Sequence, residues 1–279
     1  MSIYNLDGTE INSAYDIDGT ATADVYDVEG NIIGRDVFTV MTYNVMRWEG
    51  LNANKTIQDE AFITRNADII GIQEWGYNAS GGSVGGIPVL TYLDDCGYSE
   101  IEVGTSIYNK NALLSKLALS SIQEIVFAQD SSTSYQKCYF TYNGKTICWI
   151  NTHLLTSSQE SGKVAEAKVI FDAVENEEYF IITGDFNTVC KSVNDTEYTT
   201  IMKQFVDAGY NVGNCSQQFG FIDTWTDGTT INDTWYPCDI IITSSNINMI
   251  SVERDMTKVE AATGSVIDHV PFIAYLQIN

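Results

Sequence analysis

Short apolar runs, broken by glycine, asparagine and aspartate, dominate this chain, and most are too brief to be helices. "VFTVMTYNV", residues 37–45, reads as a strand whose last alternate polar positions are Thr42 and Asn44. A short helix is predicted from Lys55 to Arg65, and "ADIIGIQEW" is a buried strand that ends on Glu74. "NASGGSVGGIP" reads as a loop, with a helix after Pro88. Strands are expected around Ile101 to Tyr108, Ala112 to Ser115 and Ile122 to Phe127. A hairpin from Tyr135 to His153 turns about Asn143-Gly144, which sets Tyr139 opposite Cys148 and Cys138 opposite Trp149. In "SGKVAEAKVIFDAVE" the apolar residues Val164, Ala167, Phe171 and Val174 recur at helical spacing. "YFIITGD" returns to strand, Thr199 to Ala208 to helix, and "CDIIITSSNINMISVE" and "DHVPFIAYLQI" supply the closing strands. Many strands, few helices, and runs too apolar for one open face predict two packed sheets flanked by helices, an α/β (α+β) fold.

Residues 1–34 follow another pattern. "YNLDGTEI", "YDIDGTAT" and "YDVEGNII" repeat, with Tyr4, Tyr15 and Tyr26 spaced by eleven. Each copy carries Asp-Gly or Glu-Gly between alternating residues, the signature of a short hairpin. Copies this short bury little by themselves, so residues 1–34 are expected to form an appendage that packs on the body, 35–279, or tethers it to a larger assembly. Asp16 and Asp18 lack the remaining ligands of a calcium loop and read as turn formers.

Composition narrows the chemistry. Fourteen basic residues against 37 acidic ones give a formal charge of -23. Such a chain repels phosphate polymers at long range and has few cations with which to displace their counterions. A broad nucleic-acid or anionic-membrane surface is not expected, whereas a small site bridged by a divalent cation is compatible with the charge. The opening "MSIYNLDGTEINSAY" lacks a basic start and apolar run, and no stretch approaches the ~18 apolar residues that span a bilayer. The expectation is a chain without membrane contact, in the cytoplasm or on a particle. Six singly scattered cysteines read as free, buried thiols.

The candidate chemistry stands at strand ends. Apolar runs terminate in Asn44, Glu74, His153, Asp185 with Asn187, and Asp268 with His269, and Asp239 opens "DIIIT". Residues two apart on a strand face the same way, so Asp185 with Asn187, and Asn151 with His153, are expected to share a cleft. Oxygen ligands from several strands suit magnesium. Both histidines of the chain fall among them. The carboxylate of Glu74, after "IIGIQ", is poorly solvated there unless paired or bound to a metal.

The ordered series "TYNV", "IQE", "NTHL", "GDFN", "CDIII" and "DHVP" resembles the endonuclease/exonuclease/phosphatase superfamily over residues 36 to 279. The resemblance implies the deoxyribonuclease-I-like fold, a four-layer α-β-β-α sandwich of two mixed sheets, and hydrolysis of phosphoesters with magnesium or manganese. It implies Glu74 as the central metal ligand with Asn44 and Asp268 beside it. Asp185 and Asn187 resemble the pair that activates water and steadies phosphate oxygens. His269 resembles the base or phosphate-contacting histidine with Asp239 behind it, His153 the second phosphate-binding histidine, and Tyr108 the phosphate-side tyrosine. Ile267 stands where the family has serine, and Lys137, beside Gln136, is what stands nearest the family's strand arginine; Arg47 is an alternative cation. Cys190 stands where secreted deoxyribonucleases have a disulfide cysteine, with Cys238 a conceivable partner. The expected activity is nuclease action on DNA or RNA by in-line attack of water. The alternatives are hydrolysis of a small phosphoester (a sugar phosphate, cyclic dinucleotide or lipid head group) and ligand binding without catalysis. Trp48, Trp75 and Trp225 are candidates for stacking on a base or sugar, or for packing.

Overall fold

The computed structural model describes residues 3–4, 10–11, 25–26, 32–33, 37–49, 53–76, 80–105, 110–130, 132–156, 160–225, 236–256 and 269–278. The chain divides into two units, Met1–Phe38 and Thr39–Asn279. In the first, Ile3–Tyr4 pairs antiparallel with Glu10–Ile11, and Val25–Tyr26 with Ile32–Ile33.

The second unit is built on two six-stranded mixed sheets. One contains β1 (Phe38–Asn44), β2 (Ile69–Gln73), β3 (Glu100–Val103), β4 (Ala112–Ser115), and, from the C-terminal end of the chain, β11 (Asn248–Arg254) and β12 (Phe272–Gln277), in the order β11-β12-β1-β2-β4-β3. The other contains β5 (Ser120–Val126), β6 (Ser134–Tyr142), β7 (Lys145–His153), β8 (Phe180–Asp185), β9 (Asn211–Val212) and β10 (Asp239–Thr243), in the order β5-β6-β7-β8-β10-β9. The parallel pairs β1–β2 and β7–β8 lie inside their sheets, and all of β1, β2 and β8 is buried. Burial on both faces explains why these strands read as continuous apolar runs.

Helices cover the outer faces. Asn54 caps α1 (Lys55–Asp59) by accepting from Thr56 N at 3.0 Å, and the helix runs on through a π turn, Glu60–Thr64. With α2 (Val89–Asp95) it covers Met41, Tyr43, Ile70 and Ile72 of the first sheet. The second sheet turns Cys148, Ile150, Phe180 and Ile182 toward α3 (Glu160–Val174) and α4 (Lys203–Asp207), which follows a π turn, Tyr198–Met202. The buried face of α3 is Lys163, Glu166, Ala167, Ile170 and Val174. Val164 and Phe171, expected on that face from the apolar spacing, are half-buried beside it.

Between the sheets lies a polar network. Gln73 Nε2 donates to Asn151 Oδ1 at 2.7 Å, and Asn151 Nδ2 donates to the carbonyls of Ile72 (2.9 Å) and Ala112 (3.1 Å). Thr183 Oγ1 joins it, 3.2 Å from Asn151 Oδ1, and accepts from Trp149 Nε1 at 3.0 Å. The backbones approach closely here because residue 71 is glycine; a Cβ on Gly71 would lie 2.1 Å from Thr183 Oγ1.

The hairpin has the register read from Asn143-Gly144: both turn residues have positive φ, Tyr139 faces Cys148 and Cys138 faces Trp149. Adjacent residues on β6 face opposite ways, which decides the fate of Lys137. Its Nζ donates to the Ala173 carbonyl (2.9 Å) and Glu177 Oε1 (2.8 Å) at the end of α3, so it does not supply the site's cation. All six cysteines are free, five of them buried. The Cys190–Cys238 bridge implied by resemblance is not formed: Cys238 Sγ donates to the Thr188 carbonyl at 3.1 Å, and Cys190 neighbours Cys215. Burial pushes the Cys148 thiol up to about 12, which leaves it unreactive. Among the described residues no helix is long and apolar enough to cross a membrane.

Candidate active site

Parallel pairing sets the C-terminal ends of β1 and β2 together in one sheet and those of β7 and β8 together in the other, and the Asn44–Asp185 hydrogen bond joins the two pairs. In the register, Asn44 is level with Gln73, one residue before Glu74, and His153 is level with Asp185. Antiparallel β10 then brings its first residue, Asp239, opposite Asp185. His269 enters from the segment before β12, paired by an isolated bridge with Trp225.

Asp185 is the hub. Its Oδ2 lies 3.4 Å from His269 Nε2 and 3.5 Å from His153 Nε2, and accepts from Asn44 Nδ2 at 3.1 Å. Asn44 Nδ2 also faces Glu74 Oε1 at 3.3 Å, so a single amide holds the carboxylates of both sheets. Nδ1 of His269 donates to Asp239 Oδ2 at 2.8 Å, which fixes the ring and aims Nε2 at Asp185. Burial pushes the Asp185 carboxyl up, but the imidazoles of His269 and His153, the Asn187 N–H and the Asn44 amide outweigh it and hold the group below the usual carboxylate range. For Asp239 burial prevails over His269, and the carboxyl is raised. Two neighbouring carboxyls are thus shifted in opposite directions.

Glu74 and Asn187 both adopt left-handed backbone, φ +52° and +50°. The strand ends at Asp185, so strand alternation does not set the direction of Asn187. The chain turns instead: Asn187 N donates to Asp185 Oδ1 (2.8 Å) and its Nδ2 to the Leu154 carbonyl (2.8 Å), tying the exits of β8 and β7 together. Asn151 lies in the inter-sheet network beneath His153. Arg47 occupies a left-handed turn, and its Nε lies 4.0 Å from Glu74 Oε2; these side chains are 37% and 21% exposed, the open edge of a site whose other members are nearly buried. Tyr108, Asp268 and Ile267 lie outside the described residues.

Asp185, Asp239 and His269 offer ligand atoms all within 4.8 Å of one another, a candidate divalent-metal site. The donor set fits a hard cation. Two carboxylates lie in the cluster and a third, Glu74, is joined to it through the Asn44 amide, an excess of negative charge that a divalent ion neutralises. Nδ1 of His153 is buried without a partner among the described residues, while its Nε2 is the nitrogen turned to Asp185.

Trp48 and Trp75 are core residues in edge contact at 5.5 Å, which decides against stacking on substrate. Trp225 is half-buried and stacked on Tyr236 at 5.5 Å, and Lys191 Nζ lies 4.7 Å from the Tyr236 ring centroid. Tyr236, Lys191, Val189, Glu197 and Asp195 line a cavity of about 570 Å³ just beyond Asn187. Sequence reasoning passed over the buried charges Lys163, Glu166 and Glu197. The available signal was that positions 163, 167, 170 and 174 form one helical stripe with a lysine at its end.

No match is found among curated protein sequences. Solved structures share the fold at low identity. The humanised TDP2 of D. rerio superposes with a TM-score of 0.64 at 13% identity, covering 86% of this chain and 99% of that one. A 3'-5' exonuclease from Neisseria meningitidis gives 0.61 at 17%, covering 85% and 98%. A mannosyl-6-phosphatase of Bacteroides thetaiotaomicron gives 0.61 at 15%, covering 86% and 99%. The profile of the Endonuclease/Exonuclease/phosphatase family matches residues 41–270, from β1 through the His269 segment. The two mixed sheets, the residues at their strand ends and that match together establish that the chain belongs to the endonuclease/exonuclease/phosphatase family.

Proposed function

We propose that this protein is a divalent-metal-dependent phosphoester hydrolase that acts by in-line attack of water. The observation that carries this reading is the meeting of His153, His269 and Asn44 on one oxygen of Asp185, with Glu74 and Asp239 adjoining. Glu74 and Asp185, bridged by Asn44, are the proposed holders of magnesium or manganese, with Asp268 as a further ligand, while Asp239 and His269 of the same cluster serve the proton transfer. When bound, the ion supplies charge neutralisation at the phosphoryl oxygens and the leaving oxygen.

The chain's own residues do the rest. Asp239 holds His269 in the tautomer with Nδ1 protonated, so that Nε2 can accept or return a proton. Asp185, kept ionised, takes the proton of water or stabilises the His269 imidazolium. His153 and Asn187 bind the nonbridging phosphate oxygens, and Tyr108 is a further phosphate contact. Burial of Asp185 lowers the local dielectric and strengthens each of these interactions.

For the substrate, a phosphodiester of DNA or RNA is supported by the exonuclease and by a D. rerio TDP2 complexed with single-strand DNA product among the similar structures. A small phosphoester is the second reading, favoured by the charge of -23. Plasmid DNA, single-stranded DNA, RNA, bis-p-nitrophenyl phosphate and p-nitrophenyl phosphate, each with magnesium and then chelator, separate the two. Diester cleavage that chelator abolishes supports the first reading. Cleavage of the monoester alone replaces it with the second, and no turnover of any of them defeats both. The N-terminal repeats are proposed as a tether, tested by the assembly state of the chain lacking residues 1–34.

A further inference from the structure

Helix α3 carries two charged side chains, Lys163 and Glu166, that are completely buried, and each reaches a different catalytic strand exit. Lys163 Nζ donates to the Asn187 carbonyl at 2.7 Å and to Glu197 Oε1 at 2.5 Å. The other oxygen of Glu197 accepts from Val189 N at 2.5 Å, so the pair brackets the turn that follows Asp185. Glu166 Oε2 accepts from Leu155 N at 2.8 Å, two residues past His153, while its Oε1 accepts from Thr133 Oγ1 at 2.6 Å. The two exits are joined by Asn187 Nδ2 on the Leu154 carbonyl and by Leu154 N on the Asp185 carbonyl, 2.9 Å.

Stability does not explain the Lys163–Glu197 pair, and burial, which pushes the Glu166 carboxyl up, makes that group a cost rather than a gain. A buried ion pair is replaceable by apolar residues of the same volume at little or no cost, because desolvation offsets its attraction. Apolar residues, however, cannot hold the Asn187 carbonyl in its left-handed turn or the Leu155 N–H in its place. Each charge on α3 therefore fixes one peptide group next to a reacting side chain.

We propose that α3 is a positioning clamp, in which Lys163 with Glu197 sets the turn carrying Asp185 and Asn187, and Glu166 sets the turn carrying His153. The kinetic part rests on the phosphoesterase reading; the geometric part does not. The test is Lys163→Met with Glu197→Gln, which removes both charges together and leaves no buried ion unpaired. Backbone amide exchange at Val189 is expected to rise about tenfold, with the β8 amides from Ile181 to Thr183 unchanged and Tm within a few degrees. With bis-p-nitrophenyl phosphate and magnesium, kcat is expected to fall about tenfold or more while KM stays within twofold. Lys163→Arg, which keeps a donor, recovers most of the loss. Glu166→Gln, nearly isosteric, provides a folded variant if the double change unfolds; exchange at Leu155 and kcat are expected to move in the same directions. Unchanged exchange at these amides overturns the clamp, and so does raised exchange with unchanged kcat. A wild-type protein with no metal-dependent hydrolysis defeats the functional reading instead, and the exchange result still decides the clamp.

Discussion

Asp239 Oδ2 lies 2.8 Å from His269 Nδ1, and this one contact determines which nitrogen of the ring faces Asp185. Asp239→Asn reverses the preferred tautomer without changing the shape of the site. Turnover is expected to fall about 10²- to 10⁴-fold, as for other orienting carboxylates, with Tm retained. Steady-state kinetics beside a thermal melt measure both. A variant with wild-type kcat removes His269 from the proton transfer.

Asn44 spans Glu74 and Asp185, so the two carboxylates form one binding unit. A ligand that binds the folded state alone stabilises it, by about 2.7 kcal/mol at a hundredfold excess over Kd. Magnesium is therefore expected to raise the Tm of the wild type by several degrees. The rise is lost on chelation, and is absent in Glu74→Gln and Asp185→Asn. A magnesium-dependent rise that persists in both variants places the ion elsewhere.

Gly71 faces Thr183 and Asn151 across the sheets. Gly71→Ala puts a methyl group where no atom fits and forces the inter-sheet hydrogen bonds apart. A cost of about 1–3 kcal/mol is expected from overpacking, and more if Asn151 loses its partners. At about 2–4 °C for each kcal/mol, calorimetry resolves the change. A Tm equal to wild type shows that the sheets separate without penalty.

Away from the site, Glu177 carries an acid-dependent contribution to stability. Burial raises its carboxyl, but Lys137 Nζ at 2.8 Å and Tyr139 Oη at 2.7 Å prevail and hold it below the usual glutamate range. A depressed folded pKa means that this stabilisation is fully present above the unfolded value of about 4.3 and disappears as the pH falls through the folded value. Wild type and Glu177→Gln should therefore differ in Tm at pH 7 and converge as the pH falls through the depressed folded value. A gap independent of pH assigns the effect to packing.

Much of the site was legible because its residues end apolar runs, and a buried strand tolerates Glu74, His153 or Asp185 at its end only where something answers the charge. The hairpin register was legible for a local reason too, since Asn143-Gly144 admits one tight turn. The direction of Lys137 was less so. Resemblance pointed it at the phosphate, whereas β6 alternation turns it to α3 and Gln136 to the interior. Asn187 escaped alternation because its strand stops two residues earlier.

By itself the sequence determined the kind of most elements and the chemistry at their ends, since periodicity, turn residues and strand termini are properties of near neighbours along the chain; it did not show strand Asn211–Val212, and the segment read as a loop holds a short pairing of Ser83–Val84 with Ile87–Pro88. Only the tertiary structure decided that Asn44 and Asp185, 141 residues apart, share a hydrogen bond, and that Lys163 reaches the Asn187 carbonyl. Those contacts follow from how two sheets and a helix pack, and packing is set by the shapes of surfaces assembled from distant segments, which no local pattern contains.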